Sequence, residues 1–345
     1  ELATAGADET ARVWDVTRPD VDPEVLAPGH GAVGKVAFSP DGAELASGNF
    51  DGTTTIWDRR HPGDPPVTLV GDGSSVTGLA FDPTGTDLAV GTGAGGIIVR
   101  KWREPGAPPT VLAQGSTVFD VAFSPDGTAL ATGGGDNTAR VWDWRHPTSA
   151  PIMLSGHTDE VGAVAFNPDG RHLATGSLDQ SAGVWDRHRP KSTPLFVYQR
   201  SSILAVAFSP DGSELATGSI DGTAWLWAWR DHASHPIVLR ETSPVDDVAF
   251  SRGGSQLLTA SNDGTAQVWD WRQPSLPLVV LHQPAALNAL AVGRDGTHIA
   301  TGSTDATVRI WDCVECGSFP RTLQLARHRV VRELTADERA TYLHQ

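Results

Sequence analysis

Cysteine, methionine, tyrosine and lysine are all scarce in this chain, and each shortage excludes something. Two cysteines, Cys313 and Cys316, cannot build a disulfide framework. They form a CxxC pair without the second pair a structural zinc needs, so inert thiols at a strand end are expected. Neither an apolar run long enough to cross a bilayer nor a secretory signal is legible, which makes a cytoplasmic location the expectation. Only three lysines occur (Lys35, Lys101, Lys191), and 26 basic residues face 41 acidic ones for a net charge of −15. Such a surface repels phosphate backbones, so nucleic acid is not the expected partner. The Arg-, Ala- and Gly-heavy vocabulary suggests a GC-rich genome.

What the chain has instead is tryptophan (12), glycine (37) and proline (24), the composition of many short strands joined by tight turns. The tryptophans recur. Trp14, Trp57, Trp102, Trp142, Trp185, Trp227, Trp269 and Trp311 are separated by 43, 45, 40, 43, 42, 42 and 42 residues, and six of the eight precede Asp. A second signature keeps the same beat: Val36-Ala37-Phe38, Leu79-Ala80-Phe81, Val121-Ala122-Phe123, Val164-Ala165-Phe166, Val206-Ala207-Phe208, Val248-Ala249-Phe250 and a degraded Leu290-Ala291-Val292. A turn such as Ser39-Pro40-Asp41-Gly42 follows each. Proline presets φ, aspartate bonds its own backbone and glycine takes positive φ. One repeat is therefore a meander of short strands that cannot bury both faces alone and needs neighbours of its own kind.

With its Trp-Asp ends, Gly29-His30 and Gly156-His157 starts, Pro-Asp-Gly turns and this period, the chain resembles the WD40-repeat β-propellers over residues 1 to about 325. Propellers of the TolB type share the turns but not the Trp-Asp ends. The resemblance implies an all-β ring of four-stranded blades around a channel, first strand innermost. Eight copies of the second and third strands against seven of the first favour seven blades, with eight as the alternative. Residues 1–317 make the propeller, with 1–27 a partial repeat lacking its first strand. Residues 318–345 make a tail of short helices, from helical spacing in 318–330 and a capping box of Thr335 and Glu338. A last blade without an outer strand would be closed by Glu24 to Ala27, leaving residues 1–16 over from a preceding ring.

The resemblance also implies a hydrogen-bonded set inside each well-formed repeat: His157, Thr175 or Ser177, Asp179 and Trp185, and likewise His30, Ser47, Asp51 and Trp57. A hydroxyl, a histidine and an aspartate invite a catalytic-triad reading. Recurrence with the repeat points instead to satisfaction of buried polar groups. Repeats without the histidine (Gly71-Asp72, Gln114-Gly115, Arg240-Glu241) should be held less tightly.

Three further features have a plain alternative. GHGAVGK (29–35) nearly matches a phosphate-binding loop, but Val36 stands where a hydroxyl belongs and a strand follows. The glycine-rich 91–96 reads as a floppy loop. Arg60, Arg145, Arg230 and Arg272 recur after the third strand, three of them behind Trp144, Trp229 and Trp271. They could form a ring that binds an acidic partner, or pack locally with each cation over a ring.

In this family the binding surface is the face formed by loops before strand one and after strand two, with the channel mouth. Those positions hold Lys35, Phe119, Asp120, Glu160, Asp246, Asp247 and Asn288, and Phe50, Leu178, Ile220, Asn262 and Thr304. Apolar Phe50, Leu178 and Ile220 at turn tips suggest a partner surface. The expected function is a non-catalytic scaffold or sensor that binds a protein or peptide at the channel mouth, with no cofactor and no metal. The alternative is a propeller enzyme with its site there. Residues 328–343 (HRVVRELTADERATYL) resemble the ends of bacterial multidomain proteins in which WD40 repeats follow a STAND-type NTPase or another signalling domain. That implies upstream domains missing from this chain.

Overall fold

A computed structural model describes residues 33–292, except 62, 105, 232–233, 276 and 283–285, and the backbone of strands at 2–5, 11–14, 24–26, 298–303 and 307–312. Every described element is a β-strand. Six antiparallel sheets have four strands each in chain order: blade 1 (33–70), blade 2 (76–113), blade 3 (118–155), blade 4 (161–198), blade 5 (203–240) and blade 6 (245–282). Each opens with the Val-Ala-Phe strand, which faces the first strands of both neighbours. The turn after it follows the sequence rule. In blade 1, Asp41 Oδ1 accepts from Ser39 Oγ at 2.8 Å and from the N–H of Ala43 at 3.1 Å, and Gly42 takes φ +72°.

Apolar side chains gather between blades, so no blade owns its core. Ala46, Ile56 and Leu69 of blade 1 pack with Val76, Leu79, Phe81 and Leu88 of blade 2, and the pattern repeats around the ring. Close approach explains the glycine of the second strand. A Cβ on Gly176 would lie 2.8 Å from Ile203 and 2.9 Å from Val206 of the next blade.

The expected count of seven four-stranded blades, or eight, is corrected. Six are four-stranded. The remaining place, between blade 6 and blade 1, holds a six-stranded sheet built from both ends of the described chain. Leu287–Val292, His298–Ser303 and Thr307–Asp312 run in order, and Leu2–Ala5, Ala11–Trp14 and Glu24–Leu26 continue them. The closure proposed for Glu24 to Ala27 is also overturned, because Glu24–Leu26 pairs with Ala11–Trp14 (Arg12↔Val25). The strand that joins the last one is Leu2–Ala5, through Thr4↔Val308 and Ala5↔Thr307. The physical reason is two open edges. Leu2–Ala5 pairs with Ala11–Trp14 along one edge and meets Thr307–Asp312 along the other, so each supplies the other's ladder. The expected C-terminal helices lie outside the described residues, as do His30, Thr304, Cys313 and Cys316. Among the described residues there is no helix, and hence none long and apolar enough to cross a membrane.

One tryptophan is misplaced by its spacing. Trp142 pairs with Leu130 and Trp185 with Leu173, but in blade 2 the partner of Leu88 is Arg100. Trp102 lies beyond the strand Gly96–Lys101 and matches Trp144, Trp229 and Trp271. All four indoles donate to a turn carbonyl, of Gly85, Gly127, Gly212 and Gly254. The 91–96 segment is a built turn, not a floppy loop. Gly95 takes φ +88° with its Cβ position 2.5 Å from the carbonyl oxygen of Ser116, a place open only to glycine. The phosphate-loop reading fails because Gly34 and Lys35 lie inside strand Val33–Phe38.

Candidate functional site

Every innermost strand carries a bulge at its second residue. Register shifts occur across Gly34, Thr77, Phe119 and Gly162, and again across Leu204, Asp246 and Asn288. A bulged residue leaves the ladder and is re-aimed, here to one end of the channel. The third residue of each strand faces its neighbours deeper in. At that level stand Lys35, Asp120 and Asp247, with only glycine or alanine in the other sheets.

Five of the sequence-predicted residues come together. Lys35, Phe50, Phe119, Glu160 and Leu178 line a hollow of about 330 Å³ at the channel mouth, with Gly34, Val76, Thr77, Gly162 and Leu204. The hollow draws on blades 1 to 5. Phe50 stands 52% exposed at its edge, and Ile220 is 47% exposed on the corresponding turn of blade 5. The bulged Gly162 leaves part of it open. A Cβ on Gly162 would meet nothing within 4 Å. Sequence reading missed Gly34, Thr77, Gly162 and Leu204. They stand four residues before the strand's phenylalanine, as Phe119 and Asp246 do, and that alignment would have found them.

The acids divide by role. Asp120 Oδ2 accepts the N–H of Val164 in blade 4 at 3.0 Å, and Asp247 Oδ2 accepts the N–H of Leu290 in the composite sheet at 2.7 Å. Each other oxygen accepts the N–H of the following residue. Burial raises both carboxyls and Lys35 opposes the rise, leaving Asp247 at about 6. These two are ties between sheets. Asp246 is different. Burial lifts it to about 6 against a hydrogen bond with Asn262, and its Oδ2 has no hydrogen-bond partner. Asn288 is half-buried at the seventh bulge.

The hydroxyl–histidine–aspartate set is a closed internal network. Trp185 Nε1 donates to Thr175 Oγ1 at 2.8 Å, and His157 Nε2 lies 2.7 Å from the same oxygen. His157 Nδ1 lies 3.0 Å from Asp179 Oδ2, which also accepts the N–H of Thr158. The hydroxyl is Thr175, not Ser177, whose Oγ donates to the carbonyl of Asp159. Burial depresses the His157 pKa, and Asp179 only partly offsets it. The imidazole is therefore neutral, with Nδ1–H on the carboxylate and Nε2 accepting from Thr175. Thr175 is fully buried, and no substrate reaches its hydroxyl. In blade 1, Ser47 donates to Asn49 Oδ1 at 3.3 Å, Asp51 accepts from Thr53, and Trp57 is buried.

Where the histidine is absent, another side chain can reach the same hydroxyl. Gln114, in the place of Gly156, accepts from Thr132 Oγ1, which in turn accepts from Trp142 Nε1. In blade 6 the substitute is Glu241, beside Thr259, Ser261 and Trp269. Its carboxyl makes no well-formed hydrogen bond, and burial pushes it to about 7.

On the opposite face the Arg/Trp series packs locally. Arg103, Arg145, Arg230 and Arg272 hold their guanidinium carbons 4.2, 4.3, 4.0 and 4.3 Å from the ring centres of Trp102, Trp144, Trp229 and Trp271. Where arginine replaces the tryptophan, Arg59 and Arg187 lie over Phe38 and Phe166 instead. Arg60 pairs with Asp41 across its own blade corner.

An indole–hydroxyl bond recurs inside blades 3 to 6, from Trp142, Trp185, Trp227 and Trp269 to Thr132, Thr175, Thr217 and Thr259. The model of the WD domain, G-beta repeat (WD40), fits residues 24–58, 108–143, 150–186, 192–228, 234–270 and 276–312. The chain belongs to the WD40 family. No curated protein matches it. The matched spans leave out 59–107, the blade in which Arg100 takes the tryptophan's register and Val90 stands where Thr175 stands in blade 4. A WD40 propeller fits a protein-interaction scaffold, and the hydroxyl, histidine and aspartate of blade 4 serve the blade.

Proposed function

We propose that this WD40 ring is a non-catalytic interaction module that binds a protein or peptide partner across the channel mouth. The observation that carries this reading is the hollow over blades 1 to 5. It joins an aromatic and aliphatic lining to two charged side chains, Lys35 and Glu160, at the end of the channel where the bulges point. Large apolar groups exposed at turn tips, such as Phe50 and Ile220, suit a partner surface. The resemblance of residues 328–343 to the ends of signalling proteins supports placing the ring as a sensor or scaffold arm of a bacterial signalling protein.

Site-specific photo-crosslinking tests the choice of face. A benzophenone amino acid at position 50 reports on the mouth, and one at position 145 on the opposite face. Discrete adducts from position 50 and none from position 145 are expected in lysate of the source organism. Adducts confined to position 145, or absent from both, contradict the reading.

A further inference from the structure

The charges around the mouth are not evenly matched. Lys35 is the hollow's cation, and it acts on Asp120 and Asp247 beneath it. That leaves two carboxylates, Glu160 and Asp246. Neither has an ion-pair partner among the described residues. Asp246 occupies the bulge next around the ring from Leu204, which lines the hollow. It presents the same end of the channel with one oxygen enclosed and unpartnered. Enclosed from solvent, that oxygen is out of a partner's reach, so Asp246 acts through its charge. Apolar surface from Phe50, Phe119, Leu178 and Leu204 lies within the hollow. The combination is a socket for an apolar side chain bordered by negative charge.

We propose that the hollow receives an apolar side chain of a partner polypeptide, and that a basic residue carried close beside it in that segment is drawn to the negative side formed by Glu160 and Asp246. This deepens the channel-mouth reading and rests on it. Lys35 sets the orientation, since it disfavours a cation at the blade 1 side and leaves the blades 4 to 6 side open to one.

The test is selection of displayed random twelve-residue peptides on the purified chain, followed by anisotropy with the recovered peptides on three proteins. Gly162→Leu fills the hollow from a position with open space around it and should fold as the parent does. Asp246→Asn keeps shape and removes charge. Recovered peptides should pair an apolar residue with Arg or Lys within a few positions. They should lose binding in Gly162→Leu and weaken about tenfold in Asp246→Asn. Peptides that need the open hollow but carry no basic residue, and that ignore Asp246→Asn, overturn the charge assignment and leave the mouth as the binding face. Peptides indifferent to Gly162→Leu, or none recovered, overturn the face itself. Self-association of the parent that Gly162→Leu abolishes gives the hollow to a second copy and overturns the proposal. Melting curves of both variants, expected to match or exceed the parent, separate loss of site from loss of fold.

Discussion

Asp247 reaches out of blade 6 and accepts the main-chain N–H of Leu290 at 2.7 Å, on the one sheet that contains both ends of the described chain. Asp120 does the same for Val164 between blades 3 and 4. Neither is a free acid waiting for a substrate. Asp247→Ala should destabilise the ring by about 2 kcal/mol, since it strands a buried N–H. Asp247→Asn, which keeps an acceptor oxygen, should cost clearly less. Denaturant midpoints of the two variants give the comparison, and equal losses would argue against the tie.

His157 and Thr175 form the bolt of blade 4. His157→Ala leaves Thr175 and Asp179 short of partners, and a loss of about 2 kcal/mol or more is expected in chemical unfolding. Thr175→Val should fall in the same range because it orphans both Trp185 Nε1 and His157 Nε2. An unchanged melt for His157→Ala would refute the network.

The buried acids fix the sign of the pH dependence. Glu241 rises from an ordinary 4.5 to about 7, and Asp246 and Asp247 from 3.8 to about 6, chiefly by burial. A raised carboxyl binds its proton more tightly in the folded state. Its contribution is complete below the unfolded pKa and is lost as pH climbs through the folded one. Asp186 and Asp211, held at about 2 by hydrogen bonds from Arg171 and Ser209, act in the opposite sense and lose their contribution as pH falls toward 2. Stability should therefore peak near about pH 4–5 and decline toward pH 8. Glu241→Gln should flatten the decline and stabilise the chain at pH 8 by on the order of 2 kcal/mol. The amide can copy the bond Gln114 already accepts from Thr132. A decline unaltered by Glu241→Gln would contradict this.

Trp144 and Arg145 should behave unequally although they touch. The indole is 6% exposed, sits edge-on to Phe123 with centroids 5.7 Å apart, and donates to Gly127. Its replacement by alanine should cost about 3 kcal/mol. Arg145 is exposed, and Arg145→Ala should cost only about 0.5–1 kcal/mol for the lost cation–ring contact. A reversed ranking in thermal melts would restore the view of this face as a built binding ring.

The ring was legible in the sequence because each repeat writes its own strands and turns. Spacing alone failed where one blade departs from the rule. Arg100 stands 43 residues after Trp57 and 42 before Trp142, but the eye takes Trp102. The ring's closure was not legible, because edge pairing of Leu2–Ala5 with Thr307–Asp312 depends on which edges are left open, and no local pattern encodes that. The apolar rim residues Phe50 and Leu178 stood out by their chemistry. Gly162 did not, since its part is to be absent from the space the hollow occupies.

The most direct test of the mouth as the binding surface is the crosslinking yield from position 50 with Gly162→Leu added, at a temperature where both proteins are folded. With the hollow filled, the yield should fall to background while the melting temperature holds. An undiminished yield would contradict the assignment of the site.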